Sequence, residues 1–190
     1  MAHTEYTYDY LIQAFQQAKA TAENLTSDLD EEVFLRRPAK DKWCIGEILS
    51  HLVQTGREYL PQIKKGLNKP DFELKKGADP FIPGFLFRWF IHQVSPENKK
   101  KLPTVKSFQP EQTTSIDRHK VLQDFLQLQN EFIIILKKSK LEGLDLGRIK
   151  TRNPVIKFVP MSLIACFGIT EAHQRRHFEQ MRDLKKRFSK

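Results

Sequence analysis

Toward its C-terminal end the chain reads Thr170-Glu171-Ala172-His173-Gln174-Arg175-Arg176-His177, with two histidines four residues apart. On a helix that spacing puts both side chains on one face, about one turn from each other. It is how a helix offers two imidazole nitrogens to a single metal ion. On a wheel of about 100° per residue, Leu163, Cys166, Thr170, His177, Met181, Leu184 and Phe188 all fall within roughly 80° of His173. Arg175, Arg182, Lys185 and Lys186 fall outside that stripe. The two imidazoles therefore belong to the seam expected to meet other helices, and a buried imidazole needs partners for its polar nitrogens. A metal ion satisfies two at once. The plainer reading is a polar core in which the rings bond to each other, to a carboxylate or to water.

A third histidine stands in Trp43-Cys44-Ile45-Gly46-Glu47-Ile48-Leu49-Ser50-His51-Leu52. On that helix Ile45, Ile48, Leu49, Leu52, Tyr59 and Leu60 fill an arc from about 60° to 180° away from His51. His51 sits at its edge, sharing a narrow polar stripe with Cys44, Thr55, Glu58 and Gln62. A polar strip beside an apolar face suits a pocket wall; the alternative is a helix at the bundle margin whose strip meets water. Glu47 and Glu58, one and two turns from His51, are candidates for steadying an imidazole or for a general base. Against that stands the reading of each as a solvated helix glutamate. Thr55 and Thr170 line a pocket or bond to their own helix. Cys166 reads as a small core residue, and Cys44, at a helix start, as a minor candidate for a nucleophile. His3, His92 and His119 lie outside these patterns.

Positioning three such residues takes long amphipathic helices. Leu11, Phe15, Ala18, Ala22, Leu25 and Leu29 alternate in steps of four and three, predicting a helix over about 7–25. Ser27 and Asp28 offer caps for a short helix from Leu29 to about Arg36, ended by Pro38. The Trp43 segment opens a second long helix running to about Lys65. Val121, Leu122, Phe125, Leu128, Phe132, Ile135 and Leu136 define a third, from Ser115 or Asp117 to about Lys138. Residues 141–154 read as a loop, and Pro160 as a residue near the first turn of the last helix, which runs to about Phe188. Residues 66–116 hold six of the ten prolines and the aromatic run Phe81–Phe90. They read as a long crossover with one short helix near 84–94. Its aromatics are expected to cover the end of the core, line a pocket mouth or meet a second subunit. Pro83 and Gly84 weigh against membrane contact, because they interrupt the amphipathic face that surface binding uses. The expected fold is all-α: a single-domain four-helix bundle over 1–190 with a long crossover between the second and third long helices and no strand of consequence.

Composition narrows the function. With 39% hydrophobic and 29% charged residues, the chain is a globular one rather than a disordered one. No apolar stretch reaches the roughly 20 residues of a membrane span, and no signal peptide is expected from the Met1–Tyr6 stretch, which has no basic region followed by an apolar run. Two cysteines make no disulfide framework, so a reducing cytoplasm is expected. The net charge of +9 raises the question of nucleic acid. Residues 171–190 hold seven Lys or Arg and three acids, a local excess of four; the rest is spread along the chain, and no recognition or base-stacking motif accompanies it, which disfavours that class.

Trp43-x-Ile45-Gly46-Glu47-x-x-x-His51-Leu52, followed by His173-x-x-x-His177-x-x-Gln180, resembles the DinB/YfiT-like superfamily over nearly the whole chain. The resemblance implies a four-helix bundle holding a divalent metal through three histidines, here His51, His173 and His177. Cys44 stands where members often have Ser as a helix cap, and weakens the expected cap. Three neutral ligands leave an ion Lewis-acidic with an open position for water or substrate. Zinc or nickel suits an all-imidazole site, with iron or manganese as further options. The resemblance implies a metal-dependent hydrolase or a low-molecular-weight thiol transferase, with a small-molecule substrate and a homodimer. The competing classes are a metal-stapled or stress-associated binding module without catalysis, and a basic nucleic-acid-binding protein.

Overall fold

In a computed structural model, residues 5–70, 75–100 and 103–188 are described; His3 lies outside them. The first helix, α1 (Tyr8–Thr26), starts at Thr7, whose hydroxyl accepts from the Tyr10 N–H. It buries Leu11, Phe15, Ala18, Ala22 and Leu25, the seam read from periodicity. The short α2 (Glu31–Leu35) is capped by Asp30, which accepts from Val33 N at 2.7 Å. The cap is therefore neither Ser27 nor Asp28, because Ser27 still closes α1 through its own N–H. Next comes α3 (Ile45–Leu67), which contains Pro61 on an exposed position. Then α4 (Phe85–Val94) begins directly after Gly84. The two remaining helices are α5 (Arg118–Leu141), capped by Asp117, and α6 (Leu163–Phe188).

Two strands appear where none was expected. β1 (Lys150–Arg152) pairs antiparallel with β2 (Pro160–Ser162), Thr151 facing Met161. Pro160 accordingly sits at the start of β2 rather than in the first turn of α6. An edge position tolerates a residue with no N–H, and three-residue strands are too short to show a period of two.

The direction of each helix follows from its contacts. Phe15 meets Phe132 and Lys140 reaches Asp9, so α1 and α5 are antiparallel. Arg57 pairs with Asp124 and Lys64 with Glu131, so α3 and α5 run parallel. Tyr10 meets Glu171 and Lys185 meets Asp28, so α1 and α6 run parallel. Each of α1 and α3 packs against both α5 and α6. Because α3 and α5 point the same way, residues 68–117 carry the chain back along the bundle. On the way α4 lies against α6, and the 3₁₀ turn Lys106–Phe108 packs on α3.

The core falls into two apolar clusters, one around Phe15, Phe132 and Phe167, the other around Leu49, Phe125 and Phe178. Ring contacts Phe132–Phe167 and Phe125–Phe178 bracket a level at which Gln129 and Gln174 stand. Both glutamines are buried, as is Thr55 on α3. Thr55 Oγ1, both amide atoms of Gln129 and Gln174 Nε2 lack hydrogen-bond partners. A polar layer thus interrupts the bundle at mid-height.

Candidate metal centre

His51 reaches the seam from the second turn of α3, and α6 meets it there from the opposite direction. That antiparallel crossing brings His173 and His177 beside it. The Nε2 atoms of His51 and His173 are 3.2 Å apart, and those of His177 and His173 3.0 Å. One nitrogen from each of the three lies within 4.8 Å of the other two. A tetrahedral ion at about 2.05 Å from each nitrogen sets them roughly 3.3 Å apart, so both separations to His173 are already close to ligating ones.

The opposite edges of two rings are held. His51 Nδ1 donates to the carbonyl of Phe108, and His177 Nδ1 donates to Gln180 Oε1 at 2.8 Å. With Nδ1 carrying the proton, Nε2 of each presents a lone pair to the centre. Only His173 could place a proton between them, and one proton cannot serve both neighbours. A cation among three converging lone pairs answers that arrangement, and the donor set suits a divalent metal ion. Trp43 forms a wall, its ring 4.8 Å from that of His51 and 6.2 Å from that of His177.

Electrostatics agree. Burial pushes His51 below the ordinary imidazole value of 6.5. Burial, with His177 and His51 as neighbours, holds His173 well below it. Burial and the proximity of His51 bring His177 down to about 3. All three are neutral near pH 7, the form that ligates. His51 and His177 are buried and His173 is partly exposed. Among the described residues no cysteine or carboxylate joins these three.

The two glutamates are not brought into the cluster. Glu47, 1% exposed, accepts from Cys44 N and from Arg37 Nε, both at 3.0 Å, and from the Thr113 hydroxyl at 2.9 Å. Arg37 adds a second bond through Nη2. Burial alone would raise its pKa, but these donors outweigh it and the net shift is downward. Glu58 stands two turns beyond His51, half-buried. Cys44 does cap α3: its sulfur accepts from Glu47 N at 3.4 Å in a reciprocal capping box. Burial pushes its thiol up to about 11, which removes it as a nucleophile at neutral pH. Cys166 is fully buried and its thiol is likewise raised. Thr170 bonds back to the Cys166 carbonyl of its own helix.

Three contributors have no counterpart in the reading of sequence. Trp43 and Gln180 were visible in the motif, but their contacts to the rings were not. Phe108 acts through its backbone carbonyl, and no side-chain pattern announces that. A groove of about 380 Å³ between α1 and α6, lined by Tyr10, Glu171 and Arg175 among others, contains none of the three histidines.

Residues 14–181 match the family described as the DinB superfamily. The structure is also similar to YfiT from Bacillus subtilis, described as "a probable metal-dependent hydrolase with an unusual four-helix bundle topology". That likeness has a TM-score of 0.60 at 12% sequence identity, covering 96% of this chain and 87% of the other. At such identity the likeness is one of fold. No curated protein matches the chain.

Proposed function

The chain belongs to the DinB superfamily, and from that premise we propose that His51, His173 and His177 bind one divalent metal ion for chemistry on a small molecule. The observation that carries this reading is the convergence of three neutral imidazoles, His173 Nε2 standing 3.2 Å from His51 Nε2 and 3.0 Å from His177 Nε2, with the His51 and His177 rings fixed by hydrogen bonds at their other nitrogens. When bound, such an ion supplies Lewis acidity that lowers the pKa of a water or a thiol and polarises a substrate oxygen. The chain's own part is to bind and to orient. Phe108 and Gln180 fix which nitrogen of His51 and His177 is free, Trp43 closes one side, and the partly exposed His173 marks the approach. Zinc or nickel fits the all-imidazole donor set best, with iron or manganese next.

Hydrolysis is the leading reaction, supported by the description of the structural neighbour YfiT. Transfer of a low-molecular-weight thiol is a second reading. It is supported by the family resemblance, and a thiol bound to such an ion would have its pKa lowered. Glu47 and Glu58 keep the roles of support and base only as subordinate candidates, Glu47 being already engaged by four donors. The family resemblance also supports a homodimer, which sedimentation reads directly.

The test is metal analysis of the purified protein beside His173→Ala, followed by turnover assays. Esters and amides are assayed against pairs of small thiols and electrophiles. About one equivalent of metal in the wild type and loss in the variant supports the site. Metal without turnover in either assay would reduce it to a staple between α3 and α6.

A further inference from the structure

The exposed apolar side chains concentrate at one end of the bundle. Phe158 is 86% exposed and Phe85 80%. Phe158 belongs to Val155-Ile156-Lys157-Phe158, the outward tip between β1 and β2, all four residues of which are exposed. The hairpin stands at the end where α3 stops and α6 starts: Thr151 bonds to the Gln62 carbonyl, and Leu163 packs against Gly66. α4 brings a second apolar face to the same level. It runs parallel to α6, with Ile91 against Gly168 and Glu97 beside Arg175. Six residues back from Ile91, at about 1.5 Å per residue, Phe85 and Leu86 come level with β2. Phe85, Leu86 and Trp89 share the side of α4 away from the buried Ile91 and Val94. Pro83 and Gly84 both precede the helix, so the interruption expected from sequence does not fall within this face.

Positive charge surrounds the same end. Residues 137–157 contain seven Lys or Arg and two acids, a local excess of five; residues 171–188, running to the far end of α6, carry a local excess of three. Lys64, Lys65, Lys69 and Lys76 stand exposed beside them, with Lys69 touching the Lys150 carbonyl and Lys76 the Glu142 carbonyl.

We infer that this end of the bundle docks on an anionic membrane surface. Apolar tips that enter the headgroup boundary, ringed by lysines that stay at its surface, are what interfacial binding requires. A second copy of the chain would set one cationic rim against another. A phosphate backbone would leave Leu86, Ile156 and Phe158 without a role. Among the described residues no helix is long and apolar enough to cross a membrane, so the contact is peripheral. His51 lies sixteen residues, about 24 Å of helix, from the α3 end that faces the membrane, which leaves the metal centre free of it.

Flotation with vesicles tests this. The full chain is mixed with vesicles of phosphatidylcholine alone, or containing about a third phosphatidylglycerol as the anionic lipid. The wild type floats with the anionic vesicles and not the neutral ones, and raising salt from about 0.1 to 0.5 M weakens binding. Leu86→Asp/Phe158→Asp, at two exposed positions, lowers binding about ten-fold or more while circular dichroism and metal content stay unchanged. Tryptophan emission shifts to the blue on binding, and Trp89→Phe abolishes the shift. No flotation overturns the inference. So does flotation indifferent to the double substitution, since the apolar tips then play no part. A dimer that the same substitution dissociates, without vesicle binding, assigns the face to a second copy and also overturns it.

Discussion

At the scale of single residues, the account rests on which nitrogen of each imidazole is already spoken for. Gln180 fixes His177 through Nδ1, and removing such a support typically weakens metal binding ten- to a hundred-fold. Gln180→Leu is therefore expected to raise the metal dissociation constant about ten-fold in a competition titration, with the fold unchanged. Glu47 makes the opposite prediction. Its bonds go to Arg37, Cys44 N and Thr113 rather than to the cluster, so Glu47→Ala costs about 2 kcal/mol of stability and leaves the metal stoichiometry intact. Loss of metal without loss of stability would return Glu47 to the site. The histidines also predict a pH dependence. Their folded values lie below the ordinary 6.5, so in the acid range the unfolded chain binds more protons than the folded one. Stability is then full above about 6.5, and falls as pH drops below it toward the folded values. Thermal melts of the metal-free protein between about pH 7.5 and 5 should show that slope, and His177→Ala should reduce it. His173 and His177 were legible because spacing on a seam is a sequence property, and His51 joined them through the family resemblance. Phe108 was not, because a backbone carbonyl has no residue type.

At the scale of elements, close approach and the mid-bundle polar layer give separate tests. A Cβ at Gly56 would stand 2.0 Å from Leu128 Cδ2, so this glycine lets α3 and α5 pack closely. Gly56→Ala should force them apart and cost about 2 kcal/mol in denaturant unfolding; a neutral result would show that Leu128 moves aside freely. Gln129 has both amide atoms buried without partners. Gln129→Leu, nearly the same shape without the polar atoms, should stabilise by about 1 kcal/mol. A loss of stability would mean that water or a ligand serves that amide. The long helices could be read from the alternating steps of four and three that bury Leu11, Phe15, Ala18 and Ala22 on α1 and Val121, Phe125, Leu128 and Phe132 on α5. β1 and β2 could not, since three residues carry no period and their pairing is settled by Thr151 meeting Gln62 and Leu163 meeting Ile149 across the fold. The Cys44 cap was underestimated because sulfur is a weak acceptor; the reciprocal Glu47 bond completes it.

At the scale of the molecule, a metal held by His51, His173 and His177 would join α3 to α6, two helices that bring together residues more than a hundred apart in sequence. Binding only the folded state, an ion at a hundred times its dissociation constant adds about 2.7 kcal/mol. Chelation should lower the melting temperature of the wild type and leave that of a His51→Ala/His173→Ala variant unmoved. The aromatics of the long connection 66–116 were expected to cover the end of the core, line a pocket mouth or meet a second subunit; Phe81 is buried, whereas Phe85 and Trp89 are exposed. The connection also delivers the Phe108 carbonyl to His51 and Thr113 to Glu47. How that segment folds back depends on contacts far apart in sequence, which is why composition marked it as unusual without saying where it goes. Elemental analysis of the protein after metal reconstitution decides whether the three histidines hold an ion. About one equivalent of divalent metal per chain, reduced to background in His173→Ala with the helical fold preserved, is the predicted result. A reconstituted wild type that holds no metal, or a variant that holds as much as the wild type, would contradict it.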